Sequence, residues 1–325
     1  MEQVLKIDDL RTHFFTGEGV ARAVDGVSVS VGKNRTLGLV GESGCGKSVT
    51  ALSILRLIPS PPGKIVDGKI TLSGKDILSL PEVQMRDIRG KLASMIFQEP
   101  MTSLNPVFTI GTQIIEAVRI HTDMGKAEAR EIAIEYLLKV GIPTPAESMS
   151  QYPHQLSGGM KQRVMIAMAL CLKPALLIAD EPTTALDVTI QAGILRLIKD
   201  LQAETGTAVL LITHDLGIIA EMADEVAVMY AGKVVESGPC NSIFSSFVHP
   251  YTEGLFKSLP SRTERRRKLY TISGTVPSAL RFPPGCRFHT RCPLAIEKCK
   301  SEEPLLVDVG SGHRCACWVR AGGSA

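Results

Sequence analysis

The chain has 325 residues, 44% of them hydrophobic, and a formal net charge of +3 at pH 7. That length predicts one large domain or two smaller ones with an ordinary globular core. The charge is too small for a nucleic-acid surface, and only Arg262 to Lys268 concentrates it, in a run that reads as a solvated linker. No apolar stretch approaches the roughly 18 residues of a membrane span, and the amino terminus carries no apolar signal segment, so a cytosolic chain is expected, one that meets a membrane only through a partner.

Residues 1 to about 36 read as antiparallel strands, because Leu5, Ile7 and Val27, Val29, Val31 alternate with polar residues. The apolar run Thr36 to Val40 then leads into Gly41-Glu42-Ser43-Gly44-Cys45-Gly46-Lys47-Ser48, and an apolar-periodic segment follows from Val49 to Ile58. Strand, glycine loop and helix form the context in which GxxxxGKS is a phosphate-binding loop. Glycines let backbone N–H groups wrap a polyphosphate without Cβ clashes. The helix start adds the positive end of its dipole, Lys47 can reach the β- and γ-phosphates, and the Ser48 hydroxyl can ligate Mg²⁺.

Ser60-Pro61-Pro62-Gly63 breaks the chain, and residues 64 to 80 resume short strands that end in Leu92 to Phe97. Residues 109 to 141 carry helical periodicity, Pro143, Pro145 and Pro153 mark a loop region, and residues 159 to 172 are helical again. Two short unalternating apolar runs, Ala175 to Ala179 and Ala208 to Ile212, suit parallel strands buried on both faces. Strands alternating with helices imply an α/β layer with ligands at the carboxyl ends of the strands. After about residue 240 the pattern weakens, and prolines make residues 259–325 a loop-rich extension.

Two further motifs carry chemistry. Leu176 to Glu181 places adjacent carboxylates at the end of a buried strand, where neighbours face opposite ways. Asp180 suits Mg²⁺, and Glu181 suits polarising a water that attacks a γ-phosphate. Leu156-Ser157-Gly158-Gly159-Met160-Lys161-Gln162 precedes an apolar-periodic helix. Ser157 is a reasonable N-cap, and Gly158 and Gly159 leave N–H groups bare at the helix start, a second anion site.

Together these residues resemble the ATP-binding subunits of ABC transporters, whose signature is LSGGM, over about residues 4–258. The resemblance implies an α/β P-loop NTPase core with an antiparallel β subdomain, a helical signature subdomain over about residues 100–170, and a small loop-rich extension from 259 to 325. It implies an ATPase that uses ATP and Mg²⁺. Gln98 matches the glutamine that touches Mg²⁺ beside Ser48 and Asp180 and senses the transmembrane partner. Ala185-Leu186-Asp187 matches the D-loop, and His214 the switch histidine at the γ-phosphate. Phe14 sits where the family stacks an aromatic on adenine, with Phe15 the neighbouring candidate. Gly41, Ser43, Gly44, Cys45, Gly46, Lys47, Ser48 and Val49 line the phosphates. Cys45 replaces a more common small residue, which would open ATP binding to thiol reagents.

In this family Ser157, Gly158 and Gly159 complete the site on a second ATPase subunit, so ATP acts as interface glue. The stretches Phe97 to Pro106, Tyr152 to Gln155, Asp180 to Asp187, Met229 to Gly232 and His249 to Thr252 are similar to the dipeptide and oligopeptide importer branch, which also serves nickel and some sugars. That branch implies a heterodimer of ATPase subunits under two transmembrane permease subunits, on the cytoplasmic face of the inner membrane, with an extracytoplasmic solute-binding protein and no nucleic acid. A soluble ABC ATPase for iron–sulfur assembly is the alternative of a different class. Chromosome and DNA-repair ABC ATPases carry a long coiled coil between loop and signature, whereas only 109 residues separate Lys47 from Ser157 here.

Five of the eight cysteines lie from Cys286 onward. Reduced cytosolic thiols favour a metal site over disulfides. By resemblance to the tail of the first ATPase subunit of the branch, Cys286, Cys292, Cys299 and Cys317 are the ligands of a 4Fe–4S cluster, with zinc as second choice and a metal-free tail as third. Cys315 falls where the branch has an aliphatic residue.

Overall fold

The computed structural model describes residues 2–98, 103–183, 187–258 and 270–322. The run Arg262 to Lys268, residues 99–102 of the Gln98 stretch, and Ala185 and Leu186 lie outside the described residues. The chain divides into two compact units, one of Met1–Leu5, Val31–Arg35 and Leu72–Ile212, the other of Lys6–Ser30, Thr36–Thr71 and Thr213–Ala325.

The second unit carries the phosphate loop. Its strand Thr36–Val40 is buried at every position, and it pairs in parallel with Glu225–Tyr230, Leu37 opposite Glu225 and Val40 opposite Val228. Glu225–Tyr230 pairs antiparallel with Lys233–Pro239, which in turn takes the tail strand His313–Cys315 antiparallel, Glu236 opposite Cys315. A last strand, Val307–Gly310, closes that edge. The extension therefore continues the sheet that launches the phosphate loop. Its strands are three and four residues long, too short to show a period of two in the sequence. A second sheet orders Gly19–Gly32, Gln3–Thr16 and Gly63–Leu72 side by side. Val27, Val29 and Val31 are buried in alternation, as their period required. In Gln3–Thr16 the alternation slips: Leu5 and Ile7 are buried, Asp9 turns to a left-handed φ of 47°, and Leu10 and Thr12 are buried after it.

A buried ion pair fixes the extension to this unit. Arg287 donates to the carboxylate of Asp25 and to the carbonyl of Ala231. Burial pushes Asp25 up, but the Arg287 hydrogen bond and charge, helped by Lys233 and Arg11, outweigh it and hold the carboxyl below its usual range. Phe288 adds apolar glue, its ring 5.1 Å from that of Tyr230 and 5.4 Å from that of Tyr251.

In the first unit Ala93–Ile96, Leu176–Asp180 and Ala208–Ile212 form a parallel sheet in that order. The strands Leu176–Asp180 and Ala208–Ile212 are buried at every position, as sheets covered on both faces require, and only Ala175 at the head of the first apolar run is half-buried. The helical stretch after residue 109 is two helices, Ile110–His121 and Lys126–Lys139, packed on each other. The chain leaves the first at Thr122, whose backbone is extended, and restarts where Glu128 accepts from the Gly125 N–H at 2.9 Å. The helix Glu82–Ile88, which buries only Met85 and Ile88, lies between the strand stretch 64–80 and Leu92 to Phe97, where the sequence declares no element; two apolar anchors are too few for a period. The signature helix Gly158–Leu170 packs on Lys126–Lys139 and on Val188–Thr205. Among the described residues no helix is long and apolar enough to cross a membrane.

Candidate functional site

The phosphate loop leaves the strand Thr36–Val40 in a conformation only glycines sustain. Gly41 has φ 154° and Gly46 φ 107°; a Cβ at Gly41 would sit 2.2 Å from the Met229 carbonyl oxygen and one at Gly46 2.4 Å from that of Ala23. Either contact is far inside van der Waals separation, so the loop lies flat against its own sheet because the side chains are missing. Gly46 then caps Lys47–Ile54, and Thr50 satisfies the Gly46 carbonyl through both its N–H and its hydroxyl, each at 2.9 Å. No acidic residue occupies the first turn of this helix, which leaves its positive end without a carboxylate from its own chain segment.

Lys47 is 6% exposed and folds back over the loop, Nζ donating to the carbonyls of Gly41 at 2.7 Å and Glu42 at 3.1 Å. Ser43 and Gly44 are exposed at the rim, and Ser48 and Val49 are half-buried in the first helical turn. Cys45 is fully buried, and burial, opposed by Lys47, pushes its thiol up. The expectation that Cys45 opens the loop to thiol reagents is therefore corrected: a buried, protonated thiol is a poor nucleophile. Phe14 is half-buried with its ring edge at Gly63, while Phe15 is 50% exposed. His214 is exposed in a turn fixed on its far side by Asp215, whose side chain caps Leu216–Met222 by accepting from Gly217 N–H at 2.7 Å.

The other unit presents the carboxylates. Asp180 ends the strand Leu176–Asp180 and is 4% exposed. Glu181 follows in a left-handed conformation, φ 48°, its N–H donating to the Ile212 carbonyl at 2.8 Å. Such a backbone costs a non-glycine residue on the order of 1–3 kcal/mol and persists where the surroundings hold it. Here it aims the side chain at Gln98, whose amide Nε2 donates to Glu181 Oε2 at 2.9 Å. Two residues selected by separate motifs are thus brought into one hydrogen bond. Gln162, which closes the Leu156 to Gln162 motif and is buried on the signature helix, donates to the Pro182 carbonyl at 2.5 Å and ties that helix to the same turn, a role that the motif's spacing does not announce. Ser157 caps the signature helix by accepting from Met160 N–H at 3.3 Å. A Cβ on Gly158 would meet nothing within 4 Å, whereas Gly159 is close-packed on Ile190. Asp187 caps Val188–Thr205 by accepting from Ile190 N–H at 2.9 Å.

All eight cysteines are free. Burial pushes the Cys286 thiol up to about 11, and Cys299, Cys292 and Cys317 push it the same way as like-signed neighbours. Cys286 also donates its N–H to the Cys299 carbonyl at 2.9 Å. Among the described residues, however, no group of three or more His, Cys, Asp or Glu is gathered closely enough to hold a metal ion, so neither the 4Fe–4S cluster nor zinc is supported by this geometry.

A glycine-cradled lysine at a helix start, leaving a buried strand of a parallel sheet, defines a P-loop ATP-binding protein. Residues 24–184 match the ABC transporter family, and residues 235–299 match the oligopeptide/dipeptide transporter C-terminal region. The oligopeptide transport ATP-binding protein AppD of Bacillus subtilis is 52% identical over 319 residues, 98% of this chain and 97% of that protein. The dipeptide transport ATP-binding protein DppD of Escherichia coli is 47% identical over 314 residues, 97% and 96% of the two chains. The solved dimer of the ATP-binding cassette MJ0796 in a post-hydrolysis state with ADP and Pi is 26% identical, with a TM-score of 0.65 over 73% of this chain and 98% of that one. The chain belongs to the ATP-binding subunits of the oligopeptide/dipeptide ABC transporters, an ATPase family with the P-loop fold expected from its sequence.

Proposed function

We propose that this chain is the ATP-hydrolysing subunit of an importer for dipeptides or oligopeptides. One observation carries the reading: the segment that matches the peptide-transporter C-terminal region belongs to the unit of the phosphate loop and is bonded into it through Arg287. Lys47 and the loop N–H groups take the β- and γ-phosphates, and Phe14 takes the adenine. Ser48, Asp180 and Gln98 offer a hydroxyl, a carboxylate and an amide oxygen, the hard donors that suit Mg²⁺, which when bound draws charge from the phosphate oxygens. Glu181 accepts a proton from the attacking water, Gln98 orients Glu181, and His214 contacts the γ-phosphate.

Ser157, Gly158, Gly159 and Asp187 serve the ATP of a second ATPase subunit, in keeping with the open space around Gly158 at the start of the signature helix. A heterodimer of this kind, under two permease subunits at the cytoplasmic face of the inner membrane and fed by a solute-binding protein, couples ATP-driven closure to transport. ATP-dependent uptake of a labelled dipeptide by the assembled transporter, abolished by Lys47→Ala, tests the reading. For the tail we propose a 4Fe–4S cluster on Cys286, Cys292, Cys299 and Cys317, the set that the resemblance of the tail picks out; its support is that resemblance and four thiols that form no disulfide. Anaerobically purified protein should then carry about four irons per chain and a broad absorption band near about 400 nm; zinc without the band would replace the cluster, and no metal would remove it.

A further inference from the structure

Every polar group of Glu42, the second residue of the phosphate loop, is engaged. Its N–H donates to the hydroxyl of Tyr251 at 2.8 Å, a residue fully buried in the helix Pro250–Lys257. Its carbonyl accepts from Lys47 Nζ at 3.1 Å and from the Cys45 N–H at 3.3 Å. Its carboxylate receives both arms of the Arg291 guanidinium, at 2.6 Å and 3.1 Å, across 249 residues of sequence.

Arg291 is held as firmly on its own side. Its side chain is 4% exposed, Nε donates to the Ser273 carbonyl at 2.9 Å, and Nη2 donates to the Ile272 carbonyl at 3.3 Å. The cation lies 5.7 Å from the ring centroid of Tyr230, whose hydroxyl accepts from Nη1 at 3.4 Å. The next residue is Cys292, and the turn that carries both is closed by the Arg291 N–H on the Phe288 carbonyl at 2.9 Å. The Glu42 hydrogen bond, opposed by burial, raises the guanidinium further above its ordinary value, so Arg291 carries its charge at every working pH.

We infer that Arg291 is a positioning residue of the phosphate loop: by holding the Glu42 carboxylate it lets the cysteine-bearing extension set how tightly the loop binds ATP. The inference rests on the loop being the ATP site. Gly41, Gly44 and Gly46 all have positive φ, and glycines give an untied loop many alternative conformations. A bidentate, charge-assisted pair at Glu42 removes that freedom before the nucleotide arrives, and a preorganised site binds more tightly because less ordering remains to be done. Arg291 acts through Glu42, and a change in the turn around Cys292 reaches the loop by the same route.

A double-mutant cycle on the purified full-length chain tests this, with MgATP affinity measured by equilibrium titration for wild type, Arg291→Ala, Glu42→Gln, the double variant and Arg291→Lys. Each of the first two single variants should weaken ATP about ten- to a hundredfold, the scale of one buried charged hydrogen bond. The double variant should be no weaker than the worse single, because the two changes remove one interaction. Arg291→Lys should recover part of the affinity, and in the assembled transporter KM for ATP should rise while kcat stays within a few-fold. If wild type binds ATP but Arg291→Ala and Glu42→Gln bind it within about twofold as well, or if their effects multiply in the double variant, the inference is wrong. A wild-type chain that binds no ATP would instead overturn the nucleotide reading beneath it. Should Arg291→Ala fail to fold, Glu42→Gln and Arg291→Lys decide by the same comparison.

Discussion

Replacing Glu181 by Gln should cut ATP turnover about 10²- to 10⁴-fold while leaving ATP binding intact, the range set by losing a positioned general base. The shape of the site favours a clean result. Glu181 is fixed by its left-handed backbone and by the Ile212 carbonyl, and neither depends on the side-chain charge. The amide oxygen of Gln can still accept the Gln98 hydrogen bond that Glu181 Oε2 takes at 2.9 Å. Only the proposed proton acceptor is removed, while Lys47 and the loop remain. Bound ATP should therefore persist, and the ATP-closed dimer of subunits should accumulate in size-exclusion chromatography when both subunits carry the change. Steady-state turnover within about tenfold of wild type would remove Glu181 from the catalytic role.

Arg287→Ala should destabilise the folded chain by about 3–5 kcal/mol, the cost of leaving one partner of a buried pair uncompensated. Asp25 is 5% exposed, and it also receives Arg11 at 3.3 Å, a contact too long and too exposed to replace the buried guanidinium. The pH dependence follows from the sign of the shift. In wild type the Asp25 carboxyl is held below its ordinary value, so its contribution is complete above the unfolded value of about 4 and is lost as pH falls through the folded one. In the variant burial acts alone with the weaker cations, the carboxyl moves up, and protonation relieves the buried charge. The deficit against wild type should thus be largest near neutrality and shrink on acidification. Urea unfolding at several pH values measures this, and a loss below about 1 kcal/mol at pH 7 would show that the pair is not what fixes the extension.

The parts of the molecule that were legible in the sequence are those whose physics is local. The phosphate loop could be read because GxxxxGKS is contiguous and the apolar strand before it announces its burial. The strands ending at Asp180 and Ile212 could be read because unbroken apolar runs of that length fit strands covered on both faces. The position of Glu181 could be read, but its left-handed backbone could not, since nothing in Asp180-Glu181-Pro182 encodes it apart from the Ile212 carbonyl that it answers. The bond between Gln98 and Glu181 joins residues 83 apart, and that between Arg291 and Glu42 residues 249 apart. No periodicity reports a contact of that separation. The same holds for the tail: its cysteines stood out by crowding, yet its seating depends on Arg287 and Arg291, two arginines that composition does not distinguish from any others.

The most direct test of the central claim is uptake of a labelled dipeptide into proteoliposomes that hold this chain, its ATPase partner and their permease subunits, with the solute-binding protein supplied outside and ATP inside. Uptake that requires ATP, and that Lys47→Ala or Glu181→Gln eliminates, is the result expected. Uptake that proceeds without ATP, or that survives Lys47→Ala at the wild-type rate, would contradict the assignment of this chain as the subunit that drives peptide import.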